Sequence, residues 1–130
     1  MSIDGRGARF NVSRLAPLLE DVHDRLAGVV IERLPWETFL TRYDRLGTLF
    51  YLDPPYFGTE DFYGKEMFPR DQFAALATAL TGLKGQFLVS LNDCPEVREL
   101  FRGFKIEAVQ TRYTVSGGGG AAAGEVFISP

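Results

Sequence analysis

The feature that most constrains this chain is an alternation. Segments with apolar residues at helical spacing trade places, almost one for one, with short runs of strand-forming residues. Ser13 is placed to cap a helix running to about residue 27. Leu15, Leu18, Leu19, Val22 and Leu26 fall on one face of it, Pro17 lies near its start, and Gly28 is its stop. Val29, Val30 and Ile31 read as a buried strand. Trp36, Phe39, Leu40 and Tyr43 recur at i, i+3, i+4 and i+7 and predict a short second helix. Residues 48–52 read as a second strand, and Phe73, Leu76, Ala77 and Leu80 mark the buried face of a helix over 70–81 that Gly82 ends. A strand follows over 86–91. Asp93-Cys94-Pro95-Glu96 then reads as a capping box opening a fourth helix that buries Val97, Leu100 and Phe101. Two strands, 106–115 and 125–129, close the chain as a hairpin around a Gly/Ala-rich loop.

Helices between successive strands force crossovers. The order therefore predicts an α/β fold, a parallel sheet with helices on both faces and a C-terminal antiparallel hairpin at its edge. In such sheets, function gathers at the C-terminal ends of the strands. Residues 1–12, polar and glycine-containing, read as a flexible lead-in to a structured region over 13–130.

Composition narrows the class. The 130 residues are 45% apolar and carry 14 Lys+Arg against 17 Asp+Glu, a net charge of −3, which suits one core and argues against disorder, collagen-like repeats and a disulfide scaffold. The single cysteine, Cys94, has no partner for an internal disulfide. No apolar run approaches the roughly 20 residues that span a bilayer, and no signal pattern opens the chain, so the expected location is the cytoplasm. The acidic balance lacks the basic footprint of a strong phosphate binder. His23 has no Cys or carboxylate cluster beside it at ligand spacing, so no metal is expected.

The chemistry points to Asp53-Pro54-Pro55-Tyr56, which follows an apolar strand directly. Two prolines fix φ twice and remove two backbone donors, so the chain neither continues as strand nor enters a helix there. The result is a rigid turn at the sheet's rim, displaying a carboxylate, the Pro54 carbonyl and an aromatic ring within four residues. These groups suit an aromatic exocyclic amine. Its lone pair is delocalised into the ring, which makes it a poor nucleophile. Two acceptors holding both amino hydrogens pull the nitrogen towards tetrahedral geometry and localise that pair, while the Tyr56 ring stacks on the base. No metal is needed if the alkyl donor is already activated.

Asp-Pro-Pro-Tyr after a strand resembles motif IV of the amino-methyltransferases that use S-adenosylmethionine. The flanks narrow the likeness. Residues 25–36 (RLAGVVIERLPW), 42–45 (RYDR), 48–56 (TLFYLDPPY), 90–93 (SLND), 95–100 (PEVREL) and 111–115 (TRYTV) resemble the Dam-like adenine-specific DNA methyltransferases of phage and prophage type. The likeness runs from about Arg9 to the end of the chain. It implies a partial Rossmann-like class I methyltransferase sheet. It also implies a target adenine flipped out of the DNA duplex. Asp53 and the Pro54 carbonyl would bind the amino group, Pro55 would hold the turn and Tyr56 would stack on the base. In-line methyl transfer from the donor sulfonium would follow, with catalysis mainly by positioning and electrostatics.

Trp36 has two readings, an aromatic near the donor's adenine and a core residue sharing a helix face with Phe39 and Tyr43. Tyr63 and Asn92 are candidates for lining the pocket, against loop packing and a cap or turn.

The family's glycine-rich donor loop and its target-recognition region have no counterpart in these residues. Gly5-Arg6-Gly7 follows no strand, and Gly117 to Gly120 sit inside the hairpin. The chain therefore reads as the C-terminal half of such an enzyme, with the absent strands belonging between those at Val29 and Thr48. Two outcomes stay open: a half that methylates once a second chain or a homodimer completes it, and a remnant or interaction module that methylates nothing.

Overall fold

The computed structural model describes residues 12–59, 68–110 and 124–130, which form two units, Met1–Leu34 and Pro35–Pro130. In the first unit, helix α1 spans Val12–Leu26. It begins one residue before the expected cap, so Ser13 lies inside the first turn and Pro17 inside the helix. The apolar spacing did specify a helix. The apolar face it forms is open, with Leu18, Leu19, Val22 and Leu26 all exposed.

The strand expected at 29–31 is absent. These residues have no regular structure, and Val29, Val30 and Ile31 are exposed, Ile31 at 82%. Three β-branched residues supply strand propensity, but a strand exists only in a ladder, and among the described residues none pairs with them.

The second unit holds α2 (Trp36–Tyr43), β1 (Leu49–Leu52), α3 (Arg70–Thr81), β2 (Gln86–Asn92), α4 (Pro95–Leu100), β3 (Lys105–Gln110) and β4 (Gly124–Ser129). The four described strands form one mixed sheet in the order β1-β2-β4-β3. Strand β1 runs parallel to β2, with Leu49 opposite Gln86 and Leu52 opposite Val89. Strand β4 returns antiparallel between β2 and β3. The hairpin is present over its described residues, with Lys105 opposite Ser129 and Gln110 opposite Gly124. Its second strand sits inside the sheet and its first forms the edge.

Register decides the faces. Phe50 lies opposite Phe87, Val89 opposite Ile128 and Leu91 opposite Val126, so these six buried side chains share one face. Leu40 of α2, Phe73, Leu76 and Leu80 of α3, Val97 of α4 and the following Phe101 complete the same core. Within the second unit, helices α2, α3 and α4 thus back one face of this sheet, where helices on both faces were expected. The other face carries exposed Leu49 and Tyr51 at β1 and, further across, Ser90, Asn92 and Glu125.

The expected capping box is also absent. Cys94 is the N-cap of α4 and no side chain caps the helix. Pro95 occupies the first turn, where its missing N–H costs nothing, and this shifts the cap one residue past Asp93. The Asp93 carboxylate instead takes a pair of hydrogen bonds from Arg98, at 2.6 and 2.9 Å.

The two crossover loops at the strands' N-terminal ends are tied together. Asp44 Oδ1 accepts from the backbone N–H groups of Lys84 and Gly85, each at 2.9 Å. Gln86 then begins the β1–β2 ladder by donating to the Thr48 carbonyl at 2.8 Å. That anchor sets the register with which both strands deliver their C-terminal ends.

Candidate active site

Strand β1 ends at Leu52, and the turn begins there, as the two prolines dictate. Asp53 is exposed, while Pro54, Pro55 and Tyr56 are half-buried. Among the described residues, neither the Asp53 carboxylate nor the Pro54 carbonyl has a hydrogen-bond partner. Two acceptors in successive residues are therefore available at the rim of the sheet.

The chain then reverses. The Tyr56 carbonyl accepts from the Thr59 N–H at 3.1 Å and from the Thr59 hydroxyl at 2.6 Å. Gly58, at φ +86°, takes the third position of this four-residue turn, where a left-handed backbone is required and a side chain would be strained.

Two residues on the sheet face opposite the core meet this segment. Asn92, the last residue of β2, pairs with the Phe57 backbone in both directions. Its Oδ1 accepts from the Phe57 N–H at 2.8 Å, and its Nδ2 donates to the Phe57 carbonyl at 3.0 Å. Glu125 lies directly opposite Asn92 in the β2–β4 register. Its Oε1 accepts from the Tyr56 hydroxyl at 3.3 Å and from the Ser90 hydroxyl at 2.5 Å. Ser90 is buried at 3% exposure, so the carboxylate also satisfies a hydroxyl that water cannot reach.

The Phe57 ring is anchored as well. It packs edge-on against Phe73 at 5.1 Å between centroids, and the Arg70 guanidinium lies 5.0 Å from its centre. The loop is thus held by backbone, ring and turn chemistry together, while Asp53 projects free of it.

The expected site residues divide. Asp53, Pro54, Pro55 and Tyr56 stand together at the end of β1, and Asn92 reaches the same turn from β2. Trp36 has its ring half-buried against the core and donates its indole N–H to Gln72 at 2.9 Å, so core packing accounts for these contacts. It borders a groove of about 380 Å³ between α2 and α3, whose other end, at Asp44 and Lys84, lies beside the strands' N-termini and away from the turn. Tyr63 lies outside the described residues. Glu125 and Ser90 were not foreseen. The one signal for Glu125 is a lone acid opening the apolar run Val126-Phe127-Ile128.

Burial pushes the Cys94 thiol above its ordinary value. No group of three or more metal-ligating side chains occurs among the described residues, and no described helix is long and apolar enough to cross a membrane. A family model for D12 class N6 adenine-specific DNA methyltransferases matches residues 6–115. No curated protein matches the chain.

Proposed function

The chain belongs to the D12 class N6 adenine-specific DNA methyltransferase family, and from that premise we propose that the 53–56 turn binds the exocyclic amine of a flipped adenine for methylation. The observation that carries this reading is the pair of acceptors at the end of β1, which have no hydrogen-bond partner among the described residues. The Asp53 carboxylate and the Pro54 carbonyl accept the two amino hydrogens, which draws the nitrogen's lone pair out of the ring. Tyr56 stacks on the base. Pro55 holds the chain in the conformation that keeps these groups together.

The donor implied by the family is S-adenosylmethionine, which supplies a methyl group already activated on a sulfonium. The Asp53 carboxylate, exposed and without a partner among the described residues, fits a cation beside the target amine. Trp36, its ring packed on the core and its indole N–H on Gln72, is assigned no contact with the donor. The chain's own contribution is to orient the amine and to place negative charge where positive charge develops on nitrogen.

The exposed apolar residues Leu18, Leu19, Val22 and Leu26 of α1, and Leu49 and Tyr51 of β1, support a second polypeptide or a second copy as working partner. Action on a DNA substrate supports the expected cytoplasmic location.

The deciding experiment measures transfer of a labelled methyl group to adenine-containing DNA, using the chain together with any partner that co-purifies with it. Asp53→Ala is expected to reduce transfer by at least 100-fold, of the order lost when one preorganised electrostatic contact is removed. Transfer at a near wild-type rate in that variant would refute the role of Asp53.

A further inference from the structure

We infer that Asn92 and Glu125 are positioning residues, which together fix the Tyr56 ring before any base arrives. The inference rests on the reading that Tyr56 stacks on adenine, and it adds the residues that make stacking efficient.

Strand periodicity puts Ser90 and Asn92 on the same face of β2, and the register sets Glu125 opposite Asn92. A carboxamide and a carboxylate therefore stand side by side where the turn crosses the sheet. The Asn92 amide pairs with Phe57 as a neighbouring strand would, giving one hydrogen bond and taking another. An aspartate there would offer only acceptors, and a leucine neither. Glu125 works at the other end of the tyrosine. Its carboxylate is steadied by the buried Ser90 hydroxyl and receives the Tyr56 phenol.

Tyr56 is thus held at its backbone exit and at its ring tip, with Pro54-Pro55 fixing the approach. A ring held this way does not have to be ordered when the base stacks on it, and that ordering cost is part of what weakens binding by mobile loops. Asn92 and Glu125 act through Tyr56 and touch neither the amine nor the donor.

The test uses the full chain with adenosine as the probe. Adenosine affinity is read from chemical-shift titration, exchange of the Phe57 amide from hydrogen-exchange NMR, and folding from the thermal midpoint. Asn92→Ala is expected to speed Phe57 amide exchange at least tenfold and to weaken adenosine binding at least fivefold. Glu125→Ala is expected to weaken binding to a similar degree. Glu125→Gln keeps an oxygen acceptor for both hydroxyls and is expected to stay within twofold of wild type, a rescue that a merely structural role does not require. Where an alanine variant does not fold, Asn92→Asp, which keeps the acceptor for the Phe57 N–H and loses the donor, is expected to show an intermediate loss.

Folded Asn92→Ala and Glu125→Ala chains that bind adenosine as wild type does would overturn the inference, as would unchanged Phe57 exchange in Asn92→Ala or wild-type behaviour of Asn92→Asp. Tyr56→Ala separates this result from the reading beneath it. If Tyr56→Ala binds adenosine normally, stacking is wrong, and Phe57 exchange alone then decides whether Asn92 holds the turn.

Discussion

Replacing Gly85 by alanine is expected to destabilise the chain, although the usual sign of such a change is the opposite. Gly85 does not have a positive φ, so alanine can adopt its backbone conformation, and the loss of unfolded-state freedom alone would stabilise by about 0.4–1 kcal/mol. The surroundings reverse this. A Cβ at Gly85 would lie 2.7 Å from the Thr48 carbonyl oxygen, 3.1 Å from that of Arg45 and 3.2 Å from the Thr48 Cβ. None of these atoms is the free end of a flexible side chain. The Thr48 carbonyl already accepts from Gln86 at 2.8 Å, and the Arg45 carbonyl accepts from Thr48 at 3.1 Å. Asp44 meanwhile holds the Gly85 N–H from the other side. Relief therefore requires the two crossover loops to part against several hydrogen bonds, and overpacking of that kind costs about 1–3 kcal/mol. The net expectation is a loss of about 1–2 kcal/mol, a fall in Tm of roughly 4–10 °C for a unit of this size. Thermal unfolding followed by circular dichroism measures it. Gly103→Ala is the control: nothing lies within 4 Å of its Cβ and its φ is not positive, so its Tm should hold or rise. A Gly85→Ala chain as stable as the Gly103→Ala control would refute the steric argument, and with it the claim that these loops set the β1–β2 register.

Two further outcomes follow from ionisable groups near the site. The hydrogen bonds from Arg98 lower the Asp93 pKa below its ordinary 3.8, against a smaller opposing effect of desolvation. A depressed folded-state pKa stabilises the fold above the unfolded value, and that contribution is lost as pH falls through the folded value. Arg98→Gln is therefore expected to move the Asp93 carboxyl titration back up towards 3.8, read by carbon NMR; an unmoved titration would show that Arg98 is not its cause. Cys94, raised mainly by desolvation, is expected to react with iodoacetamide at pH 8 several times more slowly than free cysteine, and an equal rate would contradict its assigned environment.

Elements whose apolar residues meet a partner within the same unit were legible in the sequence. The spacing of Phe73, Leu76 and Leu80 gave α3 its bounds, and all three are buried where expected. The Trp36 to Tyr43 pattern placed α2, and the paired prolines placed the end of β1. In the first unit the same rules found the helix and misjudged the strand. Leu18, Leu19, Val22 and Leu26 make an amphipathic helix as surely as the α3 residues do, yet periodicity specifies only that a face is apolar, not what covers it. Val29 to Ile31 fail as a strand for a related reason. Their side chains suit a sheet, but no described strand offers them a ladder.

At the site, the division falls between local and long-range chemistry. Asp53 to Tyr56 could be read directly because proline geometry and a strand end act within a few residues. Asn92 could be singled out, yet its partner could not, because a carboxamide before a helix looks the same whether it caps that helix or grips a loop 35 residues earlier. Glu125 lies 69 residues from Tyr56, and its reach depends on β4 pairing with β2 in the register that sets it opposite Asn92. A shift of one residue would send Glu125 to the core face, where an unpaired carboxylate is costly, and bring Val126 out to the turn. The apolar alternation of Val126 and Ile128 thus does two things at once. It buries β4 against the helices, and in doing so it fixes which side of the sheet receives the carboxylate that steadies Tyr56.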